Sequence, residues 1–186
     1  MRTTLYRSYE VPDFELRGGD GRLLHGLAAP FNAPAEIFEG GERFTETIAP
    51  GAFARTIAQR GHRLPLFAMH DARKLPLGPV QHMEETRDGL AIEARISKTA
   101  AGDEVIELIR DRALGGLSIG FSPIRQQWST DRSQRTLHEI ALNEISVVAA
   151  PAYEQAVIAG IRSEAAPSAP GLDFYERAAW LLEAQQ

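Results

Sequence analysis

Leu114-Gly115-Gly116-Leu117-Ser118-Ile119-Gly120-Phe121 is the stretch on which the reading of this chain turns. A β-strand presents successive residues to opposite faces. Leu117, Ile119 and Phe121 therefore form an apolar face, and Ser118 shares the other face with Gly116 and Gly120. The apolar face belongs against a core. The opposite face offers a hydroxyl on bare backbone, open to close approach by another peptide. Two meanings fit: a nucleophile displayed on a rigid strand, or a serine in a strand whose glycines mark a bulge or tight packing.

The flanking segments make the strand reading firm. Upstream, Ala100 to Arg112 reads as a helix, with Val105, Ile106, Leu108 and Ile109 as its apolar stripe and Asp103, Glu104 and Glu107 as its polar side. Gly115-Gly116 stops that helix and delivers the chain into the Ser118 strand. Downstream, the strand is expected to run past Pro123 to about Trp128, with a hairpin loop in the polar run Gln126 to Arg135. Thr136 to Ala149 then reads as a long strand. Strict alternation puts His138, Ile140, Leu142, Glu144, Ser146 and Val148 on one of its faces.

Further upstream the pattern is again mostly β. Leu90 to Ile96 alternates apolar and polar and follows the hairpin turn Arg87-Asp88-Gly89. Leu77 to Met83 and Arg63 to His70 are expected strands, and in the second Leu64, Leu66, Ala68 and His70 share a face. Pro50 to Arg60 reads as a short helix with Phe53 and Ile57 on one side. Arg22 to Pro30 is an expected strand, Ile37 to Gly41 a loop, and residues 1–20 are extended. The fold class is therefore α+β: mainly antiparallel strands around one core, with peripheral helices. The domain proper is expected over residues 1–162, a flexible linker over 163–171, where Ala, Pro and Ser dominate, and a short amphipathic helix over 172–186.

Composition bounds the chemistry. Of 186 residues, 44% are hydrophobic and 24% charged, enough for a core without staples. There is no cysteine, so disulfides, thiolate nucleophiles and cysteine-held metals are excluded. A net charge of -5 gives no general attraction to nucleic acid or an anionic membrane. No apolar run reaches the length of a membrane span, and the first residues lack the apolar segment of a signal peptide. Metal-binding histidine spacing and a phosphate-binding glycine loop are both missing, so no metal and no cofactor is expected.

Acyl transfer remains. A serine needs a neighbouring base, and the base gains from an orienting acid. Of five histidines, His70 stands at the end of an apolar strand, where a side chain emerges from rigid scaffold. Its bland reading is a structural histidine bonded to a carbonyl. Glu144 lies in an apolar strand, where an ionised carboxylate needs a partner; a histidine N–H or an arginine would serve. His138 competes as the third member, and Asp71 is the weaker candidate.

These stretches, taken in order, resemble the prohead proteases of HK97-type tailed bacteriophages. The matching blocks are Gly26-Leu27-Ala28-Ala29-Pro30-Phe31-Asn32, Thr47-Ile48-Ala49-Pro50-Gly51-Ala52-Phe53, Met69-His70-Asp71 with Pro76-Leu77-Gly78, Asp88-Gly89-Leu90, Leu117-Ser118-Ile119-Gly120-Phe121, and Glu144-Ile145-Ser146-Val147-Val148 with Pro151-Ala152. They span about residues 22 to 160. Met69 and Pro79 depart from the family pattern without removing a chemical group.

The resemblance implies a small β-barrel with peripheral helices, like herpesvirus assemblin. It implies a serine endopeptidase that cleaves scaffold and coat-protein segments during capsid maturation, in the host cytoplasm inside the assembling prohead. Ser118 is then the nucleophile, His70 the base, and Glu144 the third member, or His138 if the arrangement is Ser-His-His as in assemblin. Gly116 and Gly120 would admit substrate as an added strand. The expected partner is the major capsid protein or scaffold as peptide substrate, with no nucleic acid and no membrane, and there is room for a homodimer. The alternative from another class is a non-catalytic capsid-assembly protein on the same fold. A third is an antiparallel-barrel module for a small ligand. Self-cleavage or mobility of the linker around Ser163 to Gly171 is a further expectation.

Overall fold

In a computed structural model of the chain, residues 4–10, 15–60, 64–149 and 158–159 are described. The strands are β1 (Leu5–Glu10), β2 (Glu15–Arg17), β3 (Leu23–Pro30), β4 (Ala35–Glu39), β5 (Glu42–Ile48), β6 (Pro65–Ala68), β7 (Gly78–Glu85), β8 (Gly89–Arg95), β9 (Gly116–Trp128), β10 (Gln134–Val148) and β11 (Ile158–Ala159). Two helices accompany them, α1 (Ala54–Arg60) and α2 (Ala100–Arg110). The expected linker and C-terminal helix lie outside the described residues.

β10 is the axis of the sheet. One edge pairs antiparallel with β9 along most of its length. The other edge pairs parallel with β5 at Gln134–Leu137 and parallel with β6 at Ile145–Val147. From β6 the chain of neighbours runs antiparallel through β7, β8 and β3 to β2. β1 closes against the free edge of β9, and β11 pairs parallel with β4. The antiparallel expectation thus holds for most pairings, but the sheet is mixed, because β10 is met by two strands running its own way.

Most of the strands share one core. Leu24, Ile48, Leu66, Ile92, Leu117, Ile119, Phe121, Ile145 and Val147 lie in a single buried cluster, joined by Phe53 beside α1 and by Val105, Ile106 and Ile109 of α2. The apolar face of the 114–121 stretch therefore points where the alternation placed it. β8 repeats the case, with Leu90, Ile92 and Ala94 buried and Ala91, Glu93 and Arg95 less so. The N-terminus of α2 is fixed by Thr99, whose hydroxyl accepts from Gly102 N–H at 3.1 Å.

Three expectations are corrected. Ile37 to Gly41 is not a loop: β4 and β5 form a hairpin about Gly40 and Gly41, whose φ of 64° and 89° suit glycine. Its Ile37 and Phe44 face the interior. The helix expected from Pro50 begins only at Ala54. The preceding turn is held by Glu85, whose carboxylate accepts from Gly51 N–H at 3.1 Å and Phe53 N–H at 2.7 Å. The strand expected to reach His70 ends at Ala68, because Met69 and His70 have left-handed φ of 53° and 58°.

Candidate active site

β6 and β10 bring His70 to its place. Their parallel pairing, Leu66 to Ile145 through Ala68 to Val147, is extended by Met69 N–H donating to Val147 O at 3.0 Å. The left-handed turn at Met69 and His70 then swings the imidazole out of strand phase and over the neighbouring strands. A left-handed conformation is costly for a residue with a Cβ and persists where its surroundings hold it. Here the holder is Ser146, whose Oγ accepts from His70 N–H at 3.2 Å.

Glu144 reaches the same place through a bulge. The register runs Leu142 to Phe121, then Glu144 to Gly120, with an irregularity between. Phe121 and Gly120 are consecutive and face opposite ways. The extra residue, Asn143, therefore turns Glu144 away from the face of Leu142 and onto the face of Gly120, Ser118 and Ser146. Strict alternation had put Leu142 and Glu144 together. The room above Gly120 is filled by this carboxylate: a Cβ on Gly120 would stand 2.3 Å from Glu144 Oε1. The missing side chain at Gly120 thus accommodates Glu144, and the pairing edge of β9 expected for an added strand is held by β1.

The three groups line up. Glu144 Oε1 lies 2.5 Å from His70 Nδ1, and His70 Nε2 lies 2.6 Å from Ser118 Oγ. A carboxylate only accepts, so Nδ1 carries the proton and Nε2 is left to accept from the serine hydroxyl. Ser146 Oγ donates to Glu144 Oε2 at 2.7 Å. One hydroxyl thereby ties the carboxylate to the backbone of His70. Ser118 is fully buried and the His70 and Glu144 side chains nearly so, at 10% and 11% exposure. Low dielectric strengthens each of these bonds.

β1 forms the cover. It pairs Ser8 with Ser118, and Ser8 Oγ donates to Ser118 Oγ at 3.0 Å. The Arg7 carbonyl oxygen, 3.0 Å from Ser118 Oγ, is a second acceptor for the hydroxyl proton beside His70 Nε2. The Tyr6 ring sits 4.3 Å from the His70 ring, tilted by 48°. Burial, and then the nearby Glu144 charge, push the Tyr6 hydroxyl above its ordinary pKa.

His138 is not at this site. Its Nε2 is buried without a hydrogen-bond partner among the described residues, and both ring nitrogens of His70 are occupied by other groups. Asp71 is turned to Arg73, whose Nε donates to it at 3.0 Å; that hydrogen bond holds its carboxyl below the ordinary range. Gly116 lies at the start of β9, opposite Val148. Sequence reasoning did not single out Ser146, Ser8, Tyr6 or Arg7. Ser146 was within reach of it, two residues after Glu144 on the same face. The three β1 residues carried no signal, since β1 meets β9 across more than a hundred residues of chain. Among the described residues no group of three side chains could hold a metal ion, and no helix is long and apolar enough to cross a membrane.

A mainly β fold with two helices, carrying a serine, a histidine and a carboxylate in one hydrogen-bonded line, defines a class, and comparison with known proteins gives it a family. The chain belongs to the Caudovirus prohead serine proteases, whose family profile matches residues 7–169. It is similar to the prohead protease of Enterobacteria phage HK97, with 29% identity over 147 residues, 78% of this chain and 63% of that protein. The chain therefore spans just under two thirds of the length of that relative. Among solved structures, the bacteriophage T4 capsid assembly protease shares the fold, with a TM-score of 0.55 at 13% identity over 78% of this chain and 97% of the other.

Proposed function

We propose that the chain is a serine endopeptidase of capsid maturation, with Ser118 as nucleophile, His70 as general base and Glu144 as its orienting acid. The observation that carries the reading is the line from Glu144 Oε1 through His70 to Ser118 Oγ, closed by contacts of 2.5 and 2.6 Å. His70 Nε2 takes the Ser118 proton as Oγ attacks the scissile carbonyl. Glu144 holds the Nδ1 tautomer and stabilises the imidazolium that forms. The imidazolium then returns its proton to the leaving amine, and water releases the acyl group from Ser118 by the same route in reverse. No cofactor enters the scheme.

The substrates, by family, are scaffold and coat-protein segments, met in the host cytoplasm inside the assembling prohead. On this reading the sheet is an open barrel of the assemblin kind, and residues 1–162 are the protease domain. Replacing Ser118 or His70 with alanine lowers the cleavage rate by about 10⁴–10⁶-fold and leaves the thermal transition in place. Cleavage is read from the masses of coat and scaffold chains co-expressed with the full chain. Trimmed coat protein beside a Ser118→Ala chain rejects the assignment.

The second reading, a non-catalytic assembly protein, has one observation in its favour: Ser118 is fully buried. The same co-expression decides it. Intact coat and scaffold chains with altered assembly support it, and trimmed chains exclude it.

A further inference from the structure

The assembled site is sealed, and the strand that seals it has the form of a bound peptide. β1 runs antiparallel to β9 with Ser8 opposite Ser118. Its Arg7 carbonyl oxygen stands 3.0 Å from Ser118 Oγ, the hydroxyl that His70 Nε2 engages. Of the β1 backbone, it is the Arg7 carbonyl that lies beside the nucleophile; its oxygen here accepts from the Ser118 hydroxyl, and attack on its carbon requires that oxygen to turn away from Oγ. A polypeptide substrate cannot reach a nucleophile with no exposed surface, so β1 must yield its place first.

The side chain of Arg7 shows what would replace it. Arg7 points to the opposite face of β1, with Ile119 and Phe121, and is 1% exposed. Its Nε donates to Glu46 Oε1 at 2.7 Å, its Nη1 to Tyr6 O at 2.8 Å, and its Nη2 reaches both Glu39 Oε2 and Glu46 Oε2 at 3.5 Å. The guanidinium lies 5.7 Å from the Phe121 ring centre. Arg135 supplies the second cation of this cluster, donating from Nε to Glu46 Oε2 at 2.6 Å and from Nη2 to Glu39 Oε2 at 3.2 Å. Two cations thus balance two carboxylates. If β1 leaves, Arg135 faces both Glu39 and Glu46, and one negative charge is unmatched beside buried Glu46. An incoming strand with an apolar or acidic residue here would leave that charge unpaired, and the penalty falls on binding. A strand with arginine or lysine restores the balance, so the exchange of β1 for substrate is nearly even in free energy.

We propose that β1 occupies the substrate's seat, and that the enzyme selects peptides with arginine or lysine at the position held by Arg7, cutting the bond that follows it. The selection rests on the protease reading given above. Oγ of Ser118 bonds to the carbonyl carbon of the basic residue, its proton passes to His70, and the C–N bond to the next residue breaks as that amine takes the proton. Water then hydrolyses the ester.

The test uses the full chain, with a Ser118→Ala chain as control. Coat and scaffold polypeptides are digested and their new termini mapped by mass spectrometry. Peptides built on Leu-Tyr-Arg-Ser-Tyr-Glu, with arginine, lysine, leucine or glutamate at the third position, are digested in parallel. The expected result is Ser118-dependent cutting after arginine or lysine, with kcat/KM lower by about thirtyfold or more for the leucine and glutamate peptides. Ser118-dependent cuts that follow other residues, or equal rates across the four peptides, overturn the selection and leave the protease reading standing. Absence of any Ser118-dependent cut overturns both.

Discussion

At the scale of single residues, the site depends on one absent side chain and one carboxylate. Gly120 has no Cβ, and Glu144 stands where that atom would be. Gly120→Ala therefore pushes the carboxylate away from His70 Nδ1, and kcat falls by up to about 10⁴-fold, the size of losing the orienting acid. KM moves little, because the defect is in the base and not in the seat. A Gly120→Ala enzyme with unchanged kcat would mean that Glu144 does not orient His70. The competing third member is separated by a pair of variants. Glu144→Gln lowers kcat to a similar extent, whereas His138→Ala leaves it within a few fold, since His138 Nε2 makes no hydrogen bond at the site. The sequence exposed Ser118, His70 and Glu144 because each carries a functional group in an otherwise apolar context. It hid Ser146, Ser8 and Tyr6, whose side chains become meaningful only against a strand or turn that folding brings from elsewhere.

At the scale of elements, regular alternation was legible and departures from it were not. β8 and the first half of β9 follow period two, so their core faces could be assigned residue by residue. β10 does not: Leu137 and Ile140 are both buried, with register irregularities between them, and the bulge at Asn143 reverses the face of Glu144. Glu144 was thus singled out through the wrong phase. The left-handed pair Met69 and His70 is equally silent in sequence: methionine does not favour that backbone, and the enrichment of histidine there is too weak to mark one position. The β4–β5 hairpin was missed because its strand alternation is short and acidic. The β9–β10 connection carries its own prediction. Asp131 accepts from Ser129 Oγ at 2.6 Å and from Ser133 N–H and Oγ at 3.1 and 2.8 Å. The Ser129 hydroxyl first, and then the Ser133 donors, hold its pKa down at about 2 against an ordinary 3.8. A depressed carboxylate stabilises the fold fully above its unfolded value and loses that contribution as the pH falls through the folded one. The loop is therefore expected to loosen between pH 3.8 and about 2. A carbon-detected titration of the Asp131 carboxyl gives a midpoint near 2 if the network forms in solution. A midpoint near 3.8 removes it.

At the scale of the whole molecule, one core serves most of the strands. The N-terminal strand is tied by charge. Glu46, 2% exposed, holds Arg7 of β1 and Arg135 of β10 together, so Glu46→Gln leaves buried cations short of a counter-charge. A loss of about 3–5 kcal/mol in urea unfolding is expected, by analogy with breaking a buried ion pair. A shift under 1 kcal/mol would show that the cluster is better hydrated than its burial implies. The mainly β class and the family resemblance were readable from the ordered blocks, while the parallel contacts of β10 were not, because short-range pattern says nothing about which strands meet. The account as a whole stands on Ser118, His70 and Glu144 acting as one unit. Its most direct measurement is the rate of coat or scaffold cleavage by Ser118→Ala, His70→Ala and the double variant. Groups that act together are not additive, so all three chains should fall to the same residual rate. A Ser118→Ala chain that cuts at the rate of the intact chain would contradict the account.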